Sequence, residues 1–140
     1  LMMNLSASYN DSTFTENVPN ASGFGVEGDN LPGSADYNAS IGLEYRFAMA
    51  GNDSFIRGDY AYVSEFYNNF AENGEPAGGY GVLNLKLGIA INQIDLDLFI
   101  NNVTNADDFT WVESLYGALG SQRAYRLRPR TLGLNISYQF

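Results

Sequence analysis

The chain alternates between apolar and polar positions. In its last ten residues Leu132, Leu134, Ile136, Tyr138 and Phe140 are separated by Gly133, Asn135, Ser137 and Gln139. Side chains two apart share one face of a strand, so this spacing predicts a strand with one apolar and one polar side. The same period runs from Met3 to Asn10, where Met3, Leu5, Ala7 and Tyr9 oppose Asn4, Ser6, Ser8 and Asn10. It returns from Tyr37 to Phe47, where Tyr37, Ala39, Ile41, Leu43, Tyr45 and Phe47 oppose Asn38, Ser40, Gly42, Glu44 and Arg46. Around Phe55 to Tyr67 it is less regular: Ile56, Tyr60 and Tyr62 oppose Arg57, Asp59 and Glu65, while Phe55 and Val63 interrupt the polar side. Two further runs set Leu83, Leu85, Leu87, Ile89 and Ile91 against Asn84, Lys86, Gly88 and Ala90, and Ile94, Leu96, Leu98 and Ile100 against Asp95, Asp97 and Asn101. No helical period of comparable length competes, so the pattern predicts an all-β, antiparallel chain of about six strands.

The connections sort by length. Short links at Ala48 to Asn52 and at Asn92-Gln93 alternate with long segments rich in Gly, Asn, Asp and Pro, roughly 11–35, 68–78 and 105–130. Tight turns at one edge and long loops at the other are the arrangement of bacterial outer-membrane barrels. About ten residues at ~3.3 Å each, tilted near 45°, reach ~25 Å, close to the height of an outer-membrane apolar band. The apolar sides of the regular runs carry no charge, whereas the opposite sides hold Glu44, Arg46, Lys86, Asp95 and Asp97, joined by Arg57 and Asp59. A charge facing lipid at midplane costs roughly 2–4 kcal/mol, so one face is expected to meet lipid and the other a watery lumen. Tyr9, Tyr37, Tyr45, Tyr67 and Tyr138 near the strand ends suit interfacial girdles, with the ring in the apolar layer and the hydroxyl hydrated. A water-soluble sheet with one buried face shows the same alternation, but its outer face would carry more Lys and Glu than the small polar residues found here. The turn at Asn92-Gln93 sets Ala90 beside Asp95, Gly88 beside Asp97 and Lys86 beside Phe99, with Lys86 diagonal to Asp97. The other short turn sets Glu44 against Arg57. Glu44, Arg46, Arg57, Lys86 and Asp97 are therefore the expected lumen charges, with ion pairs across strands.

Composition narrows the chemistry. The 140 residues hold no Cys and no His, which removes disulfides, thiolate and imidazole metal sites, Cys nucleophiles and Ser-His-Asp triads. No catalysis, cofactor or metal is expected. Sixteen acidic against seven basic residues give a net charge of -9, the wrong sign for a nucleic-acid partner. Charged residues are only 16% of the chain while aromatics reach 14%, against about 25% charged in soluble domains. There is no apolar run long enough for a membrane helix and no leader-like N-terminus, and the start at Leu1-Met2-Met3 reads as a mature or excised segment.

Three segments resemble a known family when taken in order. These are Ala39-Ser40-Ile41-Gly42-Leu43-Glu44-Tyr45-Arg46-Phe47, then Leu98-Phe99-Ile100-Asn101-Asn102-Val103-Thr104-Asn105, then Arg128-Pro129-Arg130-Thr131-Leu132-Gly133-Leu134 onward to Phe140. They look like the C-terminal strands of TonB-dependent outer-membrane receptors, across nearly the whole chain. The resemblance implies that residues 1–140 are the C-terminal part of a transmembrane barrel of about 22 strands, with the plug domain absent. It implies active import of scarce nutrients of the ferric siderophore, cobalamin or oligosaccharide class, driven through the TonB system by way of the missing N-terminal part. Implied partners are outer-membrane lipid and lipopolysaccharide, the rest of the barrel and plug, and the barrel assembly machinery. Thr131, Gly133, Ile136, Tyr138 and Phe140 resemble the C-terminal signal which that machinery reads. Without the missing strands, six cannot close around a wide lumen, so the first and last would be bare edges. A receptor-derived fragment that pairs with copies of itself is the structural alternative. A complete small barrel, with two more strands within 11–35, is a third.

Two candidate features remain. Gly23-Phe24-Gly25-Val26-Glu27-Gly28 fits a dinucleotide fingerprint, but it lies in a loop before Leu31-Pro32-Gly33 and not between a strand and a helix, so no nucleotide is expected. Arg123, Arg126, Arg128 and Arg130 crowd the end of the last long loop, beside Tyr125 and after Phe109, Trp111 and Tyr116. Guanidinium pairs bidentately with phosphate or carboxylate, which makes Trp111, Tyr116, Arg123, Tyr125, Arg126 and Arg128 the candidate contacts to lipopolysaccharide or to an anionic ligand, an aromatic one included. The competing reading is a solvated rim that pairs with Asp107, Asp108 and Glu113.

Overall fold

The computed structural model describes residues 1–18, 25–70, 75–114 and 122–140, and these contain eight strands and no helix. They are β1 (Met2–Tyr9), β2 (Tyr37–Met49), β3 (Asn52–Val63), β4 (Tyr80–Ile91), β5 (Ile94–Asn101), β6 (Phe109–Ser114), β7 (Gln122–Arg126) and β8 (Thr131–Tyr138). Six of them form one antiparallel sheet in the order β1-β2-β3-β4-β5-β8, and β6 pairs with β7 in a separate hairpin. The sheet is an open meander. β1 and β8 each have one edge without a neighbouring strand, so the barrel is not closed by these residues.

Register turns the alternation of each strand into a property of the whole sheet. Leu5 is opposite Ile41, Ile41 opposite Tyr60, and Tyr60 opposite Leu83. Leu87 is opposite Leu98, and Leu98 opposite Leu134. All of these side chains fall on one face, and none of the described residues covers that face: Leu5 is 71%, Leu98 45% and Ile136 66% exposed. Among the described residues only Ala77 and Val112 are fully enclosed apolar side chains, and both lie outside the sheet. A soluble sandwich would bury this face under a second layer. Here it is left for a medium that is itself apolar.

The two edges of the sheet differ as their sequences demand. The β2–β3 turn is only Ala50-Gly51, both with positive φ (50° and 81°), the primed geometry that matches the twist of paired strands. Ala48, Met49 and Asn52 are therefore strand residues, where the sequence reading placed them in the turn. Asn92 takes φ 55° in the equally tight β4–β5 turn. Rings cluster at both ends. Tyr9 and Tyr37 lie 5.1 Å apart at the long-loop end, while Tyr45–Phe47 and Tyr138–Phe140 pair at the short-turn end. Tyr138 anchors there by donating its hydroxyl to Gln93 Oε1 at 2.7 Å.

Three expectations need correction. β3 ends at Val63, so Glu65 and Tyr67 belong to the following loop, and Tyr67 uses its carbonyl to accept from Gly33 N at 2.7 Å. The last long segment is not plain loop but carries the β6–β7 hairpin, whose apolar residues, Phe109, Trp111 and Val112, do not alternate because the register shifts between Phe109 and Trp111. Described residues between Asp11 and Ala35 make only an isolated bridge, Thr13 to Asn30, and not the two strands a small closed barrel would need.

Ala50 is the strained position of its turn, since an L-residue with a Cβ is disfavoured in the left-handed region by roughly 1–2 kcal/mol, and Asn tolerates it better. Ala50→Asn is expected to raise stability by about 0.5–1 kcal/mol. In urea titrations of the folded protein in detergent, the midpoint should rise with the slope unchanged.

Candidate functional site

The polar face of the sheet carries a ladder of ion pairs. Glu44 and Arg57 are direct register partners on β2 and β3. The carboxylate of Glu44 accepts from Arg46 Nε at 2.8 Å and lies 3.6 Å from Arg57 Nη1. Arg57 grips Asp59 with two donors, Nε at 2.7 Å and Nη2 at 2.6 Å. On the next strand Lys86 faces Arg57 across the β3–β4 pair, a like-charge juxtaposition that alone would be unfavourable. Each cation turns to its own acid instead: Lys86 Nζ reaches the diagonal Asp97 at 2.8 Å and sits 5.5 Å from the centre of the Phe55 ring. Asp95 accepts from Gln139 Nε2 at 3.1 Å. Every cation of the wall is thus paired, while its acids outnumber them, Glu44, Asp53, Asp59, Asp95 and Asp97 against Arg46, Arg57 and Lys86, and Glu44, at 8% exposure, is its most enclosed member. No group of three or more metal-ligating side chains occurs among the described residues.

At the long-loop end the connections pack on one another. Gly33 packs against the Trp111 ring, and it is its φ of 76°, in the left-handed region, that favours glycine there. Gly78 N donates to Phe109 O at 2.9 Å, which ties the β3–β4 connection to the base of β6. The Gly25–Gly28 part of the glycine-rich motif lies in the first loop, where Gly28 N donates to Phe14 O and no helix follows. Gly23 and Phe24 fall outside the described residues.

The candidate ligand contacts separate into three groups. Trp111 and Tyr125 are register partners, 42% and 49% exposed, on the same hairpin face as the pair Glu113–Arg123 at 3.6 Å. Arg126 is held: its Nη1 donates to Asp107 Oδ2 at 2.7 Å and Asp107 O at 2.8 Å, and its guanidinium lies 4.5 Å from the centre of the Phe109 ring. Arg128 lies beyond the hairpin, apart from both. Tyr116 falls outside the described residues. Arg123 and Arg126 each pair with an acid of the same end while staying more than half exposed.

A residue to which the sequence reading gave no role organises this end. Asn102, 4% exposed with φ 52°, donates through Nδ2 to Ala106 O at 2.8 Å and to Arg128 O at 2.9 Å. It also accepts at Oδ1 from Ala106 N at 2.9 Å, while its own amide donates to Asn84 Oδ1 at 2.9 Å. Asn105 Oδ1 accepts from Arg130 N at 2.9 Å. The Asn102–Asn105 run and the Arg128–Arg130 run are thus two halves of one clamp, which brings the chain back from the hairpin onto the start of β8. The sequence signal was their pairing in order; the hydrogen bonds explain it.

Asn102→Ala leaves three backbone polar groups without this partner and places a Cβ-bearing residue in the left-handed region. With each buried unsatisfied group costing about 1–3 kcal/mol, a loss of roughly 2–4 kcal/mol is expected, and less for Asn102→Gly, which keeps the backbone conformation. Denaturant unfolding monitored by sheet circular dichroism reads both.

A protein-family model described as TonB dependent receptor-like, beta-barrel, matches residues 1–106. That span takes in β1 to β5 and the Asn102–Asn105 half of the clamp; β6, β7 and β8 lie beyond it. No curated protein and no solved structure matches the chain.

Proposed function

Because the chain belongs to the TonB-dependent receptor β-barrel family, whose members are outer-membrane transporters and not enzymes, we propose that it forms the C-terminal wall of an active importer of scarce nutrients. The ligand is of the ferric siderophore, cobalamin or oligosaccharide class, and import is driven through the TonB system by the part of the receptor that carries the plug. The observation that carries this reading is a sheet with one uncovered apolar face, one charged face whose cations are paired, and two open edges. Lipid covers the first and the lumen wets the second. Neighbouring strands of the same barrel satisfy the third, since backbone groups in hydrocarbon need strand partners. β2, β3 and β4, at 13, 12 and 12 residues, are long enough to cross; a tilted transmembrane strand needs about 9–11.

Within this reading the exposed Trp111–Tyr125 face of the hairpin, with Arg123 beside it, meets the ligand or lipopolysaccharide at the outer mouth. The β8 pattern Thr131, Gly133, Ile136, Tyr138 and Phe140 presents the edge that the assembly machinery engages.

Cells lacking the protein are expected to grow poorly on one limiting nutrient of these classes, with uptake by wild-type cells abolished when the proton gradient is collapsed. Uptake that survives collapse would remove the importer reading. The native polypeptide should also be several times longer than 140 residues; a 140-residue product that runs as a closed oligomer would favour self-pairing of the edges instead.

The lipid face has its own test. Leu98→Arg at mid-strand is expected to cost roughly 2–4 kcal/mol, and Ser40→Arg on the lumen face within about 0.5 kcal/mol. Both are read from unfolding in lipid vesicles. Equal costs would place lipid on neither face.

A further inference from the structure

One stretch of the lumen face breaks the polar pattern. Val82 and Phe99 lie on the side that elsewhere carries Asn4, Ser6, Ser40, Asp59 and Lys86, as the register requires: Val82 is opposite Ala61, and Phe99 is opposite both Lys86 and Gly133. Gly133 makes room for this, because the Phe99 ring lies over it where any side chain would clash. After the hairpin, Leu127-Arg128-Pro129 returns across the top of the same wall. Leu127 N is bonded to Asp108 O at 3.0 Å, and Arg128 O to the Asn102 amide. Together these residues enclose a mainly apolar hollow of about 480 Å³.

Arg128 is one of the residues lining it, and it differs from the other crowded arginines. Arg123 pairs with Glu113, Arg126 with Asp107, and Arg130 donates to Val103 O. Neither Arg128 nor Arg130 has an acid partner among the described residues, and the exposed Arg128 guanidinium, unlike that of Arg130, has no hydrogen-bond acceptor among them either. An unmatched planar cation beside an apolar cup is complementary to an organic acid, with the carboxylate forked onto the guanidinium and the ring or branched chain in the cup.

We propose that the hollow formed by Val82, Phe99, Leu127 and Pro129, with Arg128 in its lining, is a subsite for an aromatic or branched organic carboxylate on the lumen wall. It rests on the transporter reading, because that reading is what turns this face toward the lumen. The argument for an organic anion over a side chain of the protein is the unmatched charge.

The test titrates 4-fluorobenzoate and, as the neutral control, 4-fluorobenzyl alcohol against the purified full-length receptor in detergent, followed by fluorine NMR. Benzoate is expected to bind the wild type better than the alcohol. Arg128→Ala should weaken benzoate about tenfold, the loss of one charge-assisted pair, and leave the alcohol unchanged. Val82→Glu, which puts a carboxylate into the cup, should weaken both, and sheet circular dichroism and heat-modifiability confirm that each variant is folded. Benzoate binding unaffected by Arg128→Ala overturns the proposal. So does a Val82→Cys thiol that cross-links to another part of the receptor in the absence of ligand, since the protein itself then fills the hollow. Uptake insensitive to the proton gradient together with Arg128-dependent benzoate binding would count against the transporter reading alone. Energy-dependent uptake without that binding would count against the subsite alone.

Discussion

Strand pairing in register is the interaction from which the other properties of this chain follow. In hydrocarbon a backbone N–H or C=O has no water to turn to, so each must be bonded to a neighbouring strand, and a sheet is stable there only while every strand has two neighbours. The side chains do not compete for this role. Because their period is two, fixing the backbone register fixes at once which side of every strand faces lipid, and a slip of one residue would move the charges of Glu44, Arg57 and Lys86 onto the apolar face. The two tight turns, Ala50-Gly51 and Asn92-Gln93, hold that register at one end.

The charged face shows what the same register does to electrostatics. Arg57 and Lys86 are brought side by side, which would be unfavourable if either were unpaired. The arrangement survives because the acids lie on the far side of each cation, Glu44 and Asp59 for Arg57, Asp97 for Lys86. The result is a polar wall in which no cation is left without an acid. Against a wall whose own cations are all paired, an arginine without a partner in the lining of an apolar cup has chemical meaning.

The outer end follows a different logic. Its loops lack an alternating pattern and are organised by a few side-chain and backbone bonds, chiefly those of Asn102 and Asn105, with Gly33 packed against Trp111. The sequence could show that the Asn102–Asn105 and Arg128–Arg130 runs occur in order, but not that they touch, because more than twenty residues and a hairpin intervene. It also grouped Arg123, Arg126 and Arg128 by proximity along the chain. Their surroundings separate them: the first two fold back onto acids of the same hairpin, and the third is carried past it to the lumen wall.

What the sequence determined by itself was whatever depends on period. The six sheet strands, their two faces, the sorting of short turns from long loops and the Glu44–Arg57 pairing all follow from side chains two apart and turns of two residues. Tertiary structure alone decided where the pattern lapses. Phe109 to Ser114 became a strand across a register shift, Tyr67 fell outside one, and Val82 met Leu127 and Pro129 to make a cup. Those outcomes depend on contacts between segments distant in sequence, whose closeness is set by the fold and leaves no periodic mark on the residues involved.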